Sequence, residues 1–280
     1  CYHAPFVIYL LDRLGVPFNR TPEGNLDFRR FGGTLHHRTA FAGATTGQQL
    51  LYALDEQVRR FETQGLVEKM EWHEYLGAVL DSEGRCVGAT INNLRTGEIR
   101  AERGDAVILA TGGPGLVYGR STNSMVCTGT ATTSAYLQGA KYGNAEFIQI
   151  HPSAIPGRDK LRLMSESARG EGGRVWVPKN PGDERKPRDV PEDERFYFLE
   201  EKYPRFGNLV PRDVGAREIY DICINQKLGV HGEMKVYLDL THKSREFLDD
   251  RLGGILEIYE KFTGVDPREE PMEIFPAVHY

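Results

Sequence analysis

No GxGxxG loop and no CxxC pair occur anywhere in the 280 residues. The first absence means that a primary dinucleotide phosphate loop is not among these residues. The second, with only four cysteines far apart at Cys1, Cys86, Cys127 and Cys223, argues against a zinc site or a disulfide framework and for a reducing compartment. No stretch approaches the roughly 20 consecutive apolar residues of a membrane span. The start, Cys1-Tyr2-His3, has neither the basic region nor the apolar run of a signal peptide. Basic excess is missing as well: 35 Lys plus Arg stand against 40 Asp plus Glu, a formal charge of -5 that gives no electrostatic footprint for nucleic acid. What remains is an ordinary globular composition, 40% hydrophobic, long enough for one large domain or two ordinary ones. The chain begins without Met and stops on Val278-His279-Tyr280 with no cap or turn signal, so it reads as a piece of a longer protein.

Along the chain, residues 5–18 carry apolar side chains at helical spacing, with Gly15 as the stop. Thr46-Gly47-Gln48-Gln49 reads as a capping box for a helix whose apolar face is Leu50, Leu51, Leu54, Val58 and Phe61. Residues 75–80, 86–91 and 105–111 are β-prone runs that suggest a meander, the third apolar on both faces and so expected in a buried sheet. Pro and charge concentrate over 178–195, as in a solvated loop. Asp213 can cap a helix running to Leu228 with Gly229 as the stop. Another helix is expected from Ser244 to Gly264, burying Leu248, Leu252, Ile255, Tyr259 and Phe262, and the Pro-rich stretch after it is not helical.

Few constellations carry chemistry. The turn Ala110 to Gly115, directly after a buried strand, is either a tight turn or a place where backbone N–H groups approach a ligand that a Cβ would exclude. His151 precedes Pro152 and reads as a core histidine or a ligand-facing one. Glu166 and Arg169 lie three apart, on one side of any helical turn, and Gly170, Gly172 and Gly173 crowd in after them. Arg212, between Pro211 and Asp213, places a guanidinium at the start of a helix, where a bound carboxylate is welcome. Taken singly, each of these has an ordinary structural reading.

Taken in order, they match one pattern. Phe31-Gly32-Gly33, Arg38-Thr39-Ala40-Phe41-Ala42-Gly43-Ala44-Thr45-Thr46-Gly47, Ala110-Thr111-Gly112-Gly113, Ser121-Thr122-Asn123, Thr128-Gly129, His151-Pro152, Ser165-Glu166, Arg169 to Gly173, Pro211-Arg212-Asp213 and His279-Tyr280 span nearly the whole chain. In these segments the sequence resembles the flavoprotein subunit of succinate dehydrogenase and fumarate reductase, and the stretch from His36 to Gln57 is similar to a Bacillus-type branch. Thr130 stands where many members have aspartate, and Ser153 and Ser165 where threonine is common.

The resemblance implies an α/β fold: part of an FAD-binding flavoprotein domain over 1–148 with a β-meander, an α+β capping domain over 149–275, and a return to the FAD-binding domain at 276–280. It implies FAD as cofactor, touched by Ala42, Gly43, Thr46, Gly47, Ala110, Thr111, Gly112, Thr122, Asn123, Gly129 and Tyr280, with the main phosphate loop and any covalent attachment site outside this segment. Arg212 would exchange a proton with the substrate, Glu166 and Arg169 would relay it, and His151, Ser165 and His279 would bind a C4 dicarboxylate, succinate or fumarate. No metal is implied in this segment. The implied partners are an iron–sulfur subunit and a membrane cytochrome b subunit passing electrons to quinone, with this chain peripheral on the cytoplasmic face of the inner membrane. L-aspartate oxidase shares much of the pattern, and a non-catalytic segment that binds dicarboxylates or only packs against partners is a further alternative.

Overall fold

A computed structural model describes residues 1–34, 36–157 and 161–279. The chain divides into two compact units, one made of Cys1–Arg59 with Gln149–Ala277, the other of Arg60–Ile148 with Val278–Tyr280.

The first unit opens with α1 (Ala4–Arg13), ended as expected near Gly15, whose φ of +96° suits glycine. A short hairpin of β1 (Phe28–Arg29) and β2 (Thr39–Ala40) follows. Helix α2 (Thr46–Thr63) runs across the division between units. Two sequence expectations for α2 need correction. Thr46 is already helical and its hydroxyl accepts from the Ala42 N–H at 3.0 Å, while Gln49 reaches the Thr45 hydroxyl. Of its apolar residues only Ala53 is buried among the described residues, and Leu51, Leu54, Val58 and Phe61 are exposed.

In the second unit, β3 (His73–Leu80), β4 (Cys86–Asn93) and β5 (Ile99–Arg103) form an antiparallel three-stranded meander. The third strand is therefore not 105–111. β4 takes Ile99–Arg103 as its partner, with Gly88 opposite Arg103, and the run that follows has no strand pairing among the described residues, with Ile108 89% exposed. Helix α3 (Thr130–Leu137) is fastened to β3 just past its end by Gln138, whose amide accepts from Ala78 N at 2.8 Å and donates to Ala78 O at 2.9 Å.

The rest of the first unit is built on a six-stranded sheet. Its strands are β6 (Ile150–Ile155), β7 (Arg162–Leu163), β8 (Arg174–Pro178), β9 (Arg195–Phe196), β10 (Val236–Asp239) and β11 (Met272–Val278), in the order β7-β6-β11-β10-β8-β9. Alternation along the strands covers both faces. Val175, Val177, Val236 and Leu238 enter one cluster with Leu248, Leu252, Ile255, Leu256 and Tyr259 of α7 (Arg245–Thr263), while Trp176 and Tyr237 enter another with Val190, Tyr197 and Val230. Helix α7 is capped as its sequence predicts, by the Ser244 hydroxyl accepting from Phe247 N at 3.3 Å and by a left-handed Gly264, but Phe262 lies off the buried face with Arg162 stacked on it. The 178–195 stretch is largely exposed and held by ion pairs such as Arg185 to Asp183, with Val190 as its buried anchor.

Three short helices position the site: α4 (Ser167–Gly170), α5 (Phe198–Lys202) and α6 (Arg212–Tyr220). Asp213 is not the cap of α6. Pro211 occupies that position, Arg212 is the first helical residue, and Asp213 pairs with Arg217 at 2.9 Å. A π-helical turn, Asp221–Asn225, then ends the helix before Leu228 and Gly229. Gly215 brings α6 onto β6: a Cβ there would sit 3.5 Å from Pro152.

Candidate active site

In the first unit the backbone gathers Glu166, Arg169 and Arg212. Glu166 precedes the first turn of α4 and Arg169 closes it, so the three-residue spacing puts the Arg169 Nη2 at 2.9 Å from Glu166 Oε1. From α6, Arg212 Nε donates to Glu166 Oε2 at 2.8 Å. The result is an unbroken chain Arg169, Glu166, Arg212 whose inner two side chains are 1% and 2% exposed, whereas Arg212 keeps 27% of its surface open. Burial pulls the Arg169 guanidinium below its ordinary pKa; the Glu166 charge opposes this and the Arg212 charge adds to it. Arg169 Nη1 donates to Asn208 O at 2.8 Å, and its buried Nε finds no acceptor among the described residues. A cation at the positive end of a helix is unfavourable, and the Glu166 carboxylate offsets that for Arg212.

Two groups that the sequence reading did not assign a role complete the arrangement. Gln149 Oε1 accepts from Arg212 Nη1 at 2.7 Å, and the Gly32 N–H donates to Glu166 Oε1 at 2.9 Å. Gly32 belongs to the Phe31-Gly32-Gly33 motif but lies 134 positions from its partner, and nothing in the local sequence marks Gln149.

His151 lies on β6 with its ring wholly covered, and its Nδ1 accepts from the Ser153 N–H at 3.1 Å, which leaves the proton of the neutral ring on Nε2. Ser153 N, O and hydroxyl tie β6 to this ring and to Met164, so Ser165, half-buried, follows directly on the same framework. His279 belongs to the second unit, where its Nδ1 and the Thr122 hydroxyl form a hydrogen bond. The Thr122 N–H donates to Val278 O at 2.9 Å, and the Ser121 hydroxyl, which accepts from the Asn123 N–H at 3.0 Å, donates to the same carbonyl at 3.1 Å. This turn thus fixes where His279 stands.

The residues expected at a flavin fall in both units. In the first, Ala42 is buried and donates to Thr46, and Gly43, at φ +49°, donates to Asn19 Oδ1, while the positions a Cβ would take at Gly43 and Gly47 are open. In the second, Ala110, Thr111 and Gly112 are exposed, and Gly129 in the left-handed region starts α3. A Cβ on Gly129 would meet Pro114 at 2.8 Å, so glycine is what lets the 110–115 turn close on the start of α3. That helix has no acidic residue in its first turn, and its N-cap is Gly129, which has no side chain to cap with. Tyr280 lies outside the described residues. Among the described residues no group of three or more His, Cys, Asp or Glu could hold a metal ion, and no helix is long and apolar enough to cross a membrane.

Glycine turns with open Cβ positions and a buried arginine–carboxylate chain thus occur in this α/β scaffold, and comparison with known proteins gives its class. Residues 1–280 match the FAD binding domain family, and the chain belongs to it, with FAD as its cofactor. The chain is 66% identical over its full length to the succinate dehydrogenase flavoprotein subunit of Bacillus subtilis, covering 46% of that protein. It is 32% identical to the fumarate reductase flavoprotein subunit of Escherichia coli, again over the whole chain and 45% of the relative. A solved E. coli quinol fumarate reductase superposes on the whole chain with a TM-score of 0.83 at 31% identity, over 46% of its own length. The chain thus spans about half the length of the relatives it matches.

Proposed function

We propose that the protein containing this chain is the flavoprotein subunit of a succinate dehydrogenase or fumarate reductase, interconverting succinate and fumarate. The observation that carries this reading is the buried Arg169–Glu166–Arg212 chain, with links of 2.9 and 2.8 Å and only its last member open to solvent. Such a chain can move one proton to or from a carbon that has no acidity of its own. In fumarate reduction Arg212 gives a proton to the substrate carbon, Arg169 protonates the Glu166 carboxylate at Oε1, Glu166 passes a proton from Oε2 to Arg212, and solvent reprotonates Arg169; succinate oxidation runs the same transfers backwards. Gln149 holds Arg212 by its other nitrogen, so the guanidinium keeps its aim while its charge changes.

FAD, when bound, would supply the two-electron half of the reaction, and Ala42, Gly43, Thr46, Gly47, Ala110, Thr111, Gly112 and Gly129 are the residues that would hold it. His151, Ser165 and His279 take the role of dicarboxylate ligands. His279 is oriented by the Thr122 hydroxyl at its Nδ1, and Thr122 and Asn123 stand with the flavin-facing residues. The fully covered His151 ring must be uncovered to reach substrate. The sheet built by β6 to β11 with α4 to α7 is the capping domain in this reading. Electrons pass to an iron–sulfur subunit and, through a membrane cytochrome b subunit, to quinone, with the flavoprotein peripheral on the cytoplasmic face of the inner membrane.

The test is succinate oxidation with an artificial acceptor by the full-length protein and its Arg212→Ala variant. Loss of kcat by roughly 10²-fold or more with flavin retained is expected. Undiminished turnover would remove Arg212 from the reaction, and turnover of aspartate but not succinate would move the protein to the oxidases.

A further inference from the structure

Each proton transfer along Arg169, Glu166 and Arg212 changes the charge on the groups that hold the Glu166 carboxylate. A carboxylate has about four acceptor positions. On Glu166, Oε1 accepts from Arg169 Nη2 and Gly32 N, both at 2.9 Å, and Oε2 accepts from Arg212 Nε at 2.8 Å. Of these three donors only the backbone N–H takes no part in the transfers and keeps its charge unchanged throughout. It is therefore the one partner that can hold the carboxylate still while both arginines give up and regain a proton.

The loop that supplies it is built for this approach. A Cβ on residue 32 would lie 2.2 Å from Glu166 Oε1 and 2.9 Å from Val210 O, and Gly32 is not among the glycines with positive φ, so close approach, rather than backbone conformation, requires glycine here. The loop is closed by Thr34, whose hydroxyl accepts from Phe31 N at 3.1 Å and donates to Phe31 O at 2.7 Å. Gly33 N donates to Leu209 O at 2.9 Å, and the neighbouring Asn208 carbonyl takes Arg169 Nη1 at 2.8 Å. One short segment, 208–210, thus fixes both the loop and the far arginine.

We propose that Gly32 is a positioning residue of the proton relay, its backbone N–H clamping the Glu166 carboxylate between Arg169 and Arg212. This rests on the reading that Arg212 exchanges the substrate proton. The test compares the full-length, flavin-loaded wild type with Gly32→Ala, Glu166→Gln and the double variant, in succinate oxidation and fumarate reduction. Gly32→Ala should lower kcat roughly 10- to 100-fold, alter its pH profile and leave KM within about threefold. In the Glu166→Gln background the same substitution should cost less than about threefold, because the relay is already broken. An unchanged kcat, or an equal loss in both backgrounds, would overturn the proposal. A second measurement leaves residue 32 intact: amide hydrogen exchange at Gly32, read by mass spectrometry, should quicken about tenfold or more in Glu166→Ala. Equal exchange in the two proteins would overturn the clamp even if Gly32→Ala fails to fold. Wild type inactive toward both dicarboxylates would instead defeat the functional reading, and the exchange result would still decide whether the clamp exists.

Discussion

Among the described residues Glu166 is a buried carboxylate with three hydrogen-bond partners, and removing one of them is a different experiment from breaking an exposed pair. Arg169→Met replaces a side chain 1% exposed and leaves Glu166 with Gly32 and Arg212 alone. A loss near the lower end of the range for breaking a buried pair, about 3 kcal/mol, is expected in denaturant unfolding, together with a fall in kcat. Arg217→Met, which breaks a pair 71% and 65% exposed on α6, should cost no more than about 0.5 kcal/mol. Equal losses in the two variants would mean that the buried chain is no more than surface electrostatics. The sequence made part of this legible. Glu166 and Arg169 are three apart, and helical geometry alone brings them together. Their link to Arg212 spans 46 positions, that of Arg212 to Gln149 63, and the clamp from Gly32 134, and no local pattern carries such distances.

Elements were readable where one face and both ends are set locally. Helix α7 has its hydroxyl cap at Ser244, its glycine stop at Gly264 and a regular apolar stripe. Leu252→Ala should therefore cost roughly 2–5 kcal/mol, as for a fully buried leucine, Ser244→Ala about 1 kcal/mol, and Phe262→Ala well under the leucine value, since Phe262 is half exposed. Thermal or denaturant unfolding of the three variants checks that order, and Phe262→Ala as damaging as Leu252→Ala would contradict the register of the helix. The 105–111 run misled for a reason that lies in β4. That strand's remaining edge is met by Ile99–Arg103, an alternating and mostly exposed strand that hydrophobic content does not single out. The apolar run after it is left without a ladder among the described residues. At α6, proline decided what the acidic residue did not: Pro211 fixes the entry, so Arg212 begins the helix and Asp213 turns outward to Arg217.

At the scale of the molecule the two units differ in what they bury. The sheet unit has both faces covered by apolar clusters. In residues 60–148, by contrast, no apolar side chain is fully buried among those described, and Ile108, Val126, Leu137 and Phe147 are 69–89% exposed. A meander whose described apolar side chains all stay at least partly exposed gains little burial to set against the entropy of ordering its backbone. Nor does the chain contain a GxGxxG loop to hold a dinucleotide tightly. Two outcomes are therefore expected of the 280-residue chain expressed alone. It should emerge from gel filtration with far less than stoichiometric flavin, read from its absorbance near 450 nm, whereas the longer protein should keep its full complement. Amides of β3, β4 and β5 should exchange with solvent much faster than those of β8 and β10, whose opening requires disrupting both clusters. The two readings answer separate questions. Stoichiometric flavin on the isolated chain would show that binding needs no GxGxxG loop, and slow exchange in the meander without flavin would show that its strands are held by something other than a buried core.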